Sequence, residues 1–256
     1  GGLRAYSYSG SSFTNTAQTI GPEDNVLGVV VGSDGTLFLA VEYSGLRAYS
    51  YSGSSFAITA YINDGYYARN VAVGSDETVF LANENDGLRA YSYSGSSFTN
   101  TAHIDDGGLA YGVAIGSDGT VFLANDDDGL RAYSYSGLSF TNTAHIDGGS
   151  DAWDVAVGPD GTVFLANDDD GLRAYSNSGW SFTNTAHIDD GGIALGVAVG
   201  SDGTVFLANG GGGLRAYSNS GWSFTNTAHI DDGGIALGVA VGSDGTVFLA
   251  NGGGGL

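Results

Sequence analysis

The chain contains no cysteine, no methionine and no lysine, and only two prolines in 256 residues. Without cysteine there are no disulfides and no thiolate metal ligands, and the redox compartment stays open. Without lysine, seven arginines stand against 24 Asp and 4 Glu, leaving a formal net charge of −21. Such a chain repels nucleic acid and anionic membrane surfaces, and by field alone it favours cations and basic partners. No apolar run approaches the length of a membrane-spanning helix, and no stretch reads as a signal peptide. The missing methionine extends to position 1, which points to a processed or excised product. An excess of Asp with no Lys also fits an exported or salt-adapted protein, although copying one repeat copies its bias. No segment carries apolar residues at a 3.6-residue period, so helical repeats are excluded. What is abundant is glycine, tyrosine and an apolar fraction of 42%, enough for a sizeable core.

The pentapeptide Gly-Leu-Arg-Ala-Tyr begins at Gly2, Gly45, Gly87, Gly129, Gly171 and Gly213, and Gly255-Leu256 starts a seventh copy. Between the six full copies the steps are one of 43 residues and four of 42, giving repeats 2–44, 45–86, 87–128, 129–170, 171–212 and 213–254. The last two are identical letter for letter, which implies recent duplication or design.

Each repeat reads as four short strands. Gly112–Gly116 and Thr120–Ala124 flank Ser117-Asp118-Gly119, a tight hairpin signal. Both are nearly all apolar, as strands covered on two faces are. Leu130–Ser136 alternates and ends at a Ser-Gly turn, and Ser139–Ile146 alternates with polar residues as a half-exposed strand. Hydrophobicity falling from first strand to fourth predicts a radial array of antiparallel sheets: an all-β, six-bladed β-propeller of 42-residue, four-stranded repeats, a single domain over residues 1–256. Because the chain starts at a third strand, the ring is expected to close by pairing residues 238–251 with residues 3–20, N-terminal outer strands on C-terminal inner strands. A fragment of a longer repeat chain is the second arrangement.

The stretch GVAIGSDGTVFLANDDDGLRAYSYSG, residues 112–137, resembles the NHL-type propeller repeat, with its small-hydrophobic inner strand, Asp-Gly hairpin, and basic residue before an aromatic. It is also similar to LVIVD-type repeats, and the likeness covers all six units. Gly116 departs from the NHL pattern, which usually has Asp there, and no catalytic set of that family maps onto the chain. The resemblance, to a family of protein- and RNA-binding scaffolds with a few metal-dependent enzymes, implies binding more than an activity.

Antiparallel parity sends the Asn-Asp-Asp-Asp-Gly loops and the His-Ile-Asp-Asp-Gly-Gly segments to one face, making it acidic. Asp126–Asp128 and Asp168–Asp170 suggest calcium, but adjacent Asp residues diverge and the equivalent positions 210–212 and 252–254 are all glycine. A solvated connection is the reading taken there, and no cofactor is expected. His103, His145, His187 and His229 fall on outer strands, as packing or surface groups rather than a metal ring. The arginine in each GLRAY copy reads as an ion-pair partner, and Trp180 and Trp222 read as exposed turn residues able to touch a sugar or aromatic ring.

One column varies while its surroundings do not: Leu27-Gly28, Arg69-Asn70, Tyr111-Gly112, Trp153-Asp154, Leu195-Gly196 and Leu237-Gly238. It precedes the inner strand, at the channel mouth of a propeller. Arg69, Asn70, Tyr111, Trp153 and Asp154, with Tyr67, are therefore the expected ligand contacts, with no catalytic or metal residues. The expected function is a monomeric, non-enzymatic binding or protein-interaction scaffold with an acidic top face. Its partner would be a small molecule, a glycan, or a basic protein or peptide, with no nucleic acid and no membrane. Two alternatives stand beside it: a metal-dependent hydrolase or lyase in the channel, and a symmetric amplified or engineered scaffold without an evolved ligand.

Overall fold

The computed structural model describes residues 2–9, 12–19, 25–231 and 233–252. The seventh-copy start at Gly255-Leu256 and the glycines Gly253 and Gly254 lie outside the described residues. The chain divides into two compact units, residues 1–106 with 137–139, and residues 107–136 with 140–256.

Among the described residues, the first unit holds three antiparallel sheets. One pairs β1 (Arg4–Tyr8) with β2 (Phe13–Gln18). The next runs β3 (Val26–Val31), β4 (Leu37–Val41), β5 (Gly45–Tyr51) and β6 (Phe56–Ile62), and the third runs β7 (Asn70–Val73), β8 (Val79–Ala82), β9 (Leu88–Tyr93) and β10 (Phe98–Ile104). A 3-10 turn at Glu42–Ser44 falls where the repeat step lengthens to 43.

The second unit begins with the sheet β11 (Gly112–Ile115), β12 (Val121–Ala124), β13 (Leu130–Tyr135) and β14 (Phe140–Ile146). It continues with β15 (Asp154–Val157), β16 (Val163–Ala166), β17 (Leu172–Asn177) and β18 (Phe182–Ile188). A third sheet runs β19 (Gly196–Val199), β20 (Val205–Ala208), β21 (Leu214–Asn219) and β22 (Phe224–Ile230), and β23 (Ile235–Val241) pairs with β24 (Val247–Gly252). Every four-stranded sheet follows chain order. Its two hairpins therefore lie at one end, the hairpin end. The second-to-third connection and the lead into the first strand lie at the other, the lead end.

Local chemistry explains the turns. In the β11–β12 hairpin, Gly116 N–H donates to Thr120 O (2.8 Å) and Thr120 N–H to Asp118 Oδ1 (2.9 Å), while Gly119 takes φ 85°. The third-to-fourth pairing carries a bulge that simple alternation hides. Ala132 pairs with Ala144 and Tyr133 with Asn142, so Thr143 is extra, and its hydroxyl returns to Ala132 O at 3.2 Å.

Burial peaks at the second strand and not, as expected, at the first: β11 is buried at two of four positions and β15 at one. β12 and β16 are buried at all four positions, whereas β14 and β18 are buried at only two of seven, a Phe and an Ala. Cores form between successive sheets within a unit: Phe38 with Val71 and Tyr91, Phe122 with Val155 and Tyr175, and Phe164 with Val197 and Tyr217. Each large side chain buried this way contributes about 1.5–3 kcal/mol.

Two sheet faces depart from this pattern. Val29 of β3 is 54% exposed where its repeat equivalent Val71 is 4%, and Val31 and Leu27 beside it are also exposed. In the second unit Phe248, Ile235 and Leu237 are exposed, although Phe164 at the equivalent position of Phe248 is buried.

Candidate functional site

The lead end of each sheet is shaped by the loop between its second and third strands. In the repeat holding Asp126–Asp128, Asp126 adopts φ 52°, and Asp168 one repeat on adopts φ 47°, where Gly210 takes 49° in the next copy. A non-glycine residue in this region costs about 1 kcal/mol or more. A two-way bridge to the following repeat holds it: Asp126 N–H to Ala152 O at 3.2 Å and Ala152 N–H to Asp126 O at 2.9 Å, repeated between Asp168 and Ala194. The third Asp has a different task. Asp128 Oδ2 accepts from Arg131 Nε and from Asn125 Nδ2, and its carbonyl accepts from His145 Nε2 at 2.7 Å. Asp86 with Arg89 and His103, and Asp170 with Arg173 and His187, do the same. Arg89, Arg131 and Arg173 are thus ion-pair partners, and each of the four histidines bonds a backbone carbonyl, His229 that of Gly212. Among the described residues, no three His, Asp or Glu side chains are arranged to hold a metal ion.

The variable column lies at this end: Arg69, Tyr111, Trp153 and Leu195 immediately precede β7, β11, β15 and β19, whereas Leu27 and Leu237 lie inside the longer β3 and β23. Tyr111 N–H donates to Ala124 O (2.9 Å) and Trp153 N–H to Ala166 O (3.0 Å). In the second unit the column brings Tyr111 and Trp153 together, with rings stacked 4.7 Å apart at 12°. The Asp168 carboxylate lies close to the Trp153 side chain. Burial pushes Asp126 upward from the ordinary Asp range, reinforced by the charges of Asp151 and Asp127. Burial does the same to Asp168, reinforced by Asp169 and Asp151 and opposed by the Trp153 side chain. Asp126, Asp151 and Asp168 therefore share one negative field beside the aromatic stack.

Asp154 does not present a free carboxylate. Its Oδ1 accepts from Val155 N–H (2.9 Å) and its Oδ2 from Val197 N–H (3.0 Å), tying one inner strand to the next. Burial pushes it up to about 7 against the opposing pull of these two N–H groups. The site is tight. A Cβ built on Gly112 would lie 2.8 Å from Asp154 Cα, so glycine is required where the strands approach.

In the first unit the column gives a second cluster. The Arg69 guanidinium lies 5.5 Å from the centre of the Tyr67 ring and pairs with Glu84. Tyr67 packs on Tyr43, rings 4.5 Å apart, and donates to its hydroxyl at 3.0 Å. Asn70 Oδ1 accepts from Val71 N–H at 2.7 Å, the bond that Asp154 makes to Val155. Tyr43 escaped the sequence reading, although the single 43-residue step marks its segment. At the hairpin end, Trp180 and Trp222 are each 84% exposed, as their turn context suggested.

No family model matches this chain, and no curated protein sequence matches it. Solved structures do resemble it. A Lactobacillus plantarum protein superposes with a TM-score of 0.81 at 15% identity, covering 94% of this chain and 81% of its own. A catalytically inactive virginiamycin B lyase from Staphylococcus aureus, with quinupristin, gives 0.74 at 10% identity, covering 91% and 80%. A protein of unknown function from Bacteroides thetaiotaomicron gives 0.66 at 12%, covering 91% and 70%. At such identities the likeness concerns architecture alone, and together with the repeating four-stranded antiparallel sheets it gives this chain the β-propeller repeat fold.

Proposed function

We propose that the chain closes into a six-bladed ring and acts as a non-enzymatic binding module, its ligand held at an acidic lead end by the variable column. Closure is supported by the two uncovered faces. Inside each unit a Phe of one repeat packs against the Val 33 positions later: Phe38 with Val71, Phe122 with Val155, Phe164 with Val197. Phe248 lacks such a position in the chain, and counting on round six repeats of 42 arrives at Val29. Both are exposed, at 41% and 54%. Strands β1 and β2 carry third- and fourth-strand sequences, and β23 and β24 carry first- and second-strand sequences, so together they spell one blade.

The binding role rests on one observation, the stacked Tyr111–Trp153 pair beside Asp126, Asp151 and Asp168. Flat aromatic faces next to carboxylates suit a guanidinium or other organic cation, as in a basic peptide. A hydrolase or lyase would instead need carboxylates or imidazoles from several repeats aimed at one reacting point. Here the histidines are engaged with backbone carbonyls, and Asp154 with backbone N–H groups. Isothermal titration with a hexa-arginine peptide tests the reading. The double variant Tyr111→Ala/Trp153→Ala keeps the net charge, so a loss of affinity of about tenfold or more is expected if the stack is the contact. Unchanged affinity in the variant would mean that general charge attraction alone binds the peptide, and the site would be withdrawn.

A further inference from the structure

The third strand of the repeat ends in Tyr at Tyr51, Tyr93 and Tyr135, but in Asn at Asn177 and Asn219. In the first unit Tyr93 shows what that tyrosine does. Its ring meets Phe38 of the preceding sheet edge-on, centroids 5.1 Å apart at 89°, and packs with Val73 around the same core. Its hydroxyl donates to Gly95 O at 2.9 Å and lies 2.6 Å from Thr59 Oγ1. Tyr51 repeats the hydroxyl contacts, to Gly53 O at 2.8 Å and Thr16 Oγ1 at 2.7 Å.

Three repeats on, the equivalents of Phe38, Val73 and Tyr93 are Phe164, Val199 and Asn219, all in the second unit. Asn219 turns back on its own loop, where its Oδ1 accepts from Gly221 N–H at 3.0 Å. A cavity of about 310 Å³ opens here, lined by Phe164, Val199, Asn219, Asp160 and Asp202. The surrounding chemistry is that of the filled repeats: an aromatic edge and a Val on the floor. Gly221 O and the Thr185 hydroxyl stand at the sequence positions of the two groups that Tyr93 uses.

We infer that this inter-sheet cavity is a binding site for a phenolic ring, which takes the place that the Tyr93 side chain fills three repeats earlier. The ring stacks edge-on against Phe164 and beside Val199, and its hydroxyl donates to Gly221 O. The site lies at the hairpin end, away from the variable column, and it requires neither ring closure nor the cation reading above. Asn177 repeats the exchange one repeat earlier, with Phe122 as the matching floor residue.

Titration of the whole chain with p-cresol, the tyrosine side chain as a free molecule, tests this directly. Saturable binding is expected, with nuclear Overhauser contacts from the cresol ring to the Val199 methyls. The variant Asn177→Tyr/Asn219→Tyr supplies the ring covalently and is expected to weaken cresol binding at least tenfold. If that variant does not fold, the contacts to Val199 in the unaltered protein decide alone. N-acetyltyrosinamide run in parallel separates the sources: affinity equal to that of p-cresol indicates a peptide-borne tyrosine, and weaker affinity a free phenol. Absence of saturable binding by either probe, or binding without contacts to Val199, would overturn the inference.

Discussion

Replacing Asp154 by Asn probes the tie between inner strands at the lead end. The carboxyl is held up to about 7, chiefly by burial, while in the unfolded chain it ionises near 3.8. Below both values the group is protonated in either state and has no effect on the pH dependence. Between them the unfolded chain releases its proton first, so stability falls as pH rises, and the loss is complete above about 7. An interval of about three pH units at about 1.4 kcal/mol each gives an upper bound of about 4 kcal/mol, and partial access of water reduces the expected loss to about 2–3 kcal/mol. Asn keeps the acceptor for Val155 N–H, as Asn70 does for Val71, but turns an NH2 toward Val197 N–H. That mismatch costs about 1 kcal/mol. The variant should therefore be slightly less stable than the parent at about pH 4.5 and more stable by about 1–2 kcal/mol at about pH 8. Urea unfolding of both proteins at the two pH values measures this, and the difference between them cancels the shared background of the other carboxylates. A stability difference that is the same at both pH values would refute the reasoning.

Two further outcomes are expected from the repeat itself. Arg173→Ala removes a close charge-assisted pair with Asp170, whereas Arg215→Ala, in the copy where Gly212 replaces that Asp, removes a longer 3.4 Å contact to the Asp190 carboxylate and a 3.2 Å bond to the Asp190 carbonyl. The first should destabilise by about 1 kcal/mol more than the second in urea titrations, with the gap shrinking in high salt. Gly129→Ala sets a side chain at φ 75° with its Cβ only 2.4 Å from Ile146 O, so a loss of about 2 kcal/mol or more is expected in the same assay. A neutral result would mean that the third strand can shift away from the fourth.

Strand positions and the exposure of the fourth strand were legible because their signals are local. Asp118-Gly119 specifies its hairpin by itself, and apolar first and second strands against a polar fourth show which side is inside. The bulge at Thr143 was not legible, since Phe-Thr-Asn-Thr-Ala alternates as an unbroken strand does, and only the return bond to Ala132 O marks the extra residue. The variable column announced itself by chemistry, and in the second unit it brings Tyr111 against Trp153. The role of Asp154 was hidden because its second donor, Val197 N–H, is 43 residues away in sequence. The three aspartates of Asp126–Asp128 look alike as letters but differ as groups: one bridges repeats, one is exposed, and one holds Arg131. The cavity at Asn219 was visible only as a Tyr-to-Asn exchange, whose meaning requires knowing that Tyr93 reaches Phe38 in the neighbouring sheet.

Ring closure is tested most directly by a cysteine pair, because the chain has no cysteine of its own. In a complete sheet Phe206 stands opposite Ala216, and the same register carried round the ring sets Phe248 opposite Ala5. The variant Ala5→Cys/Phe248→Cys, oxidised at low protein concentration, should form an intramolecular disulfide in a monomer, identified by peptide mapping under non-reducing conditions. Free thiols, or disulfides only between chains, would contradict a closed six-bladed ring.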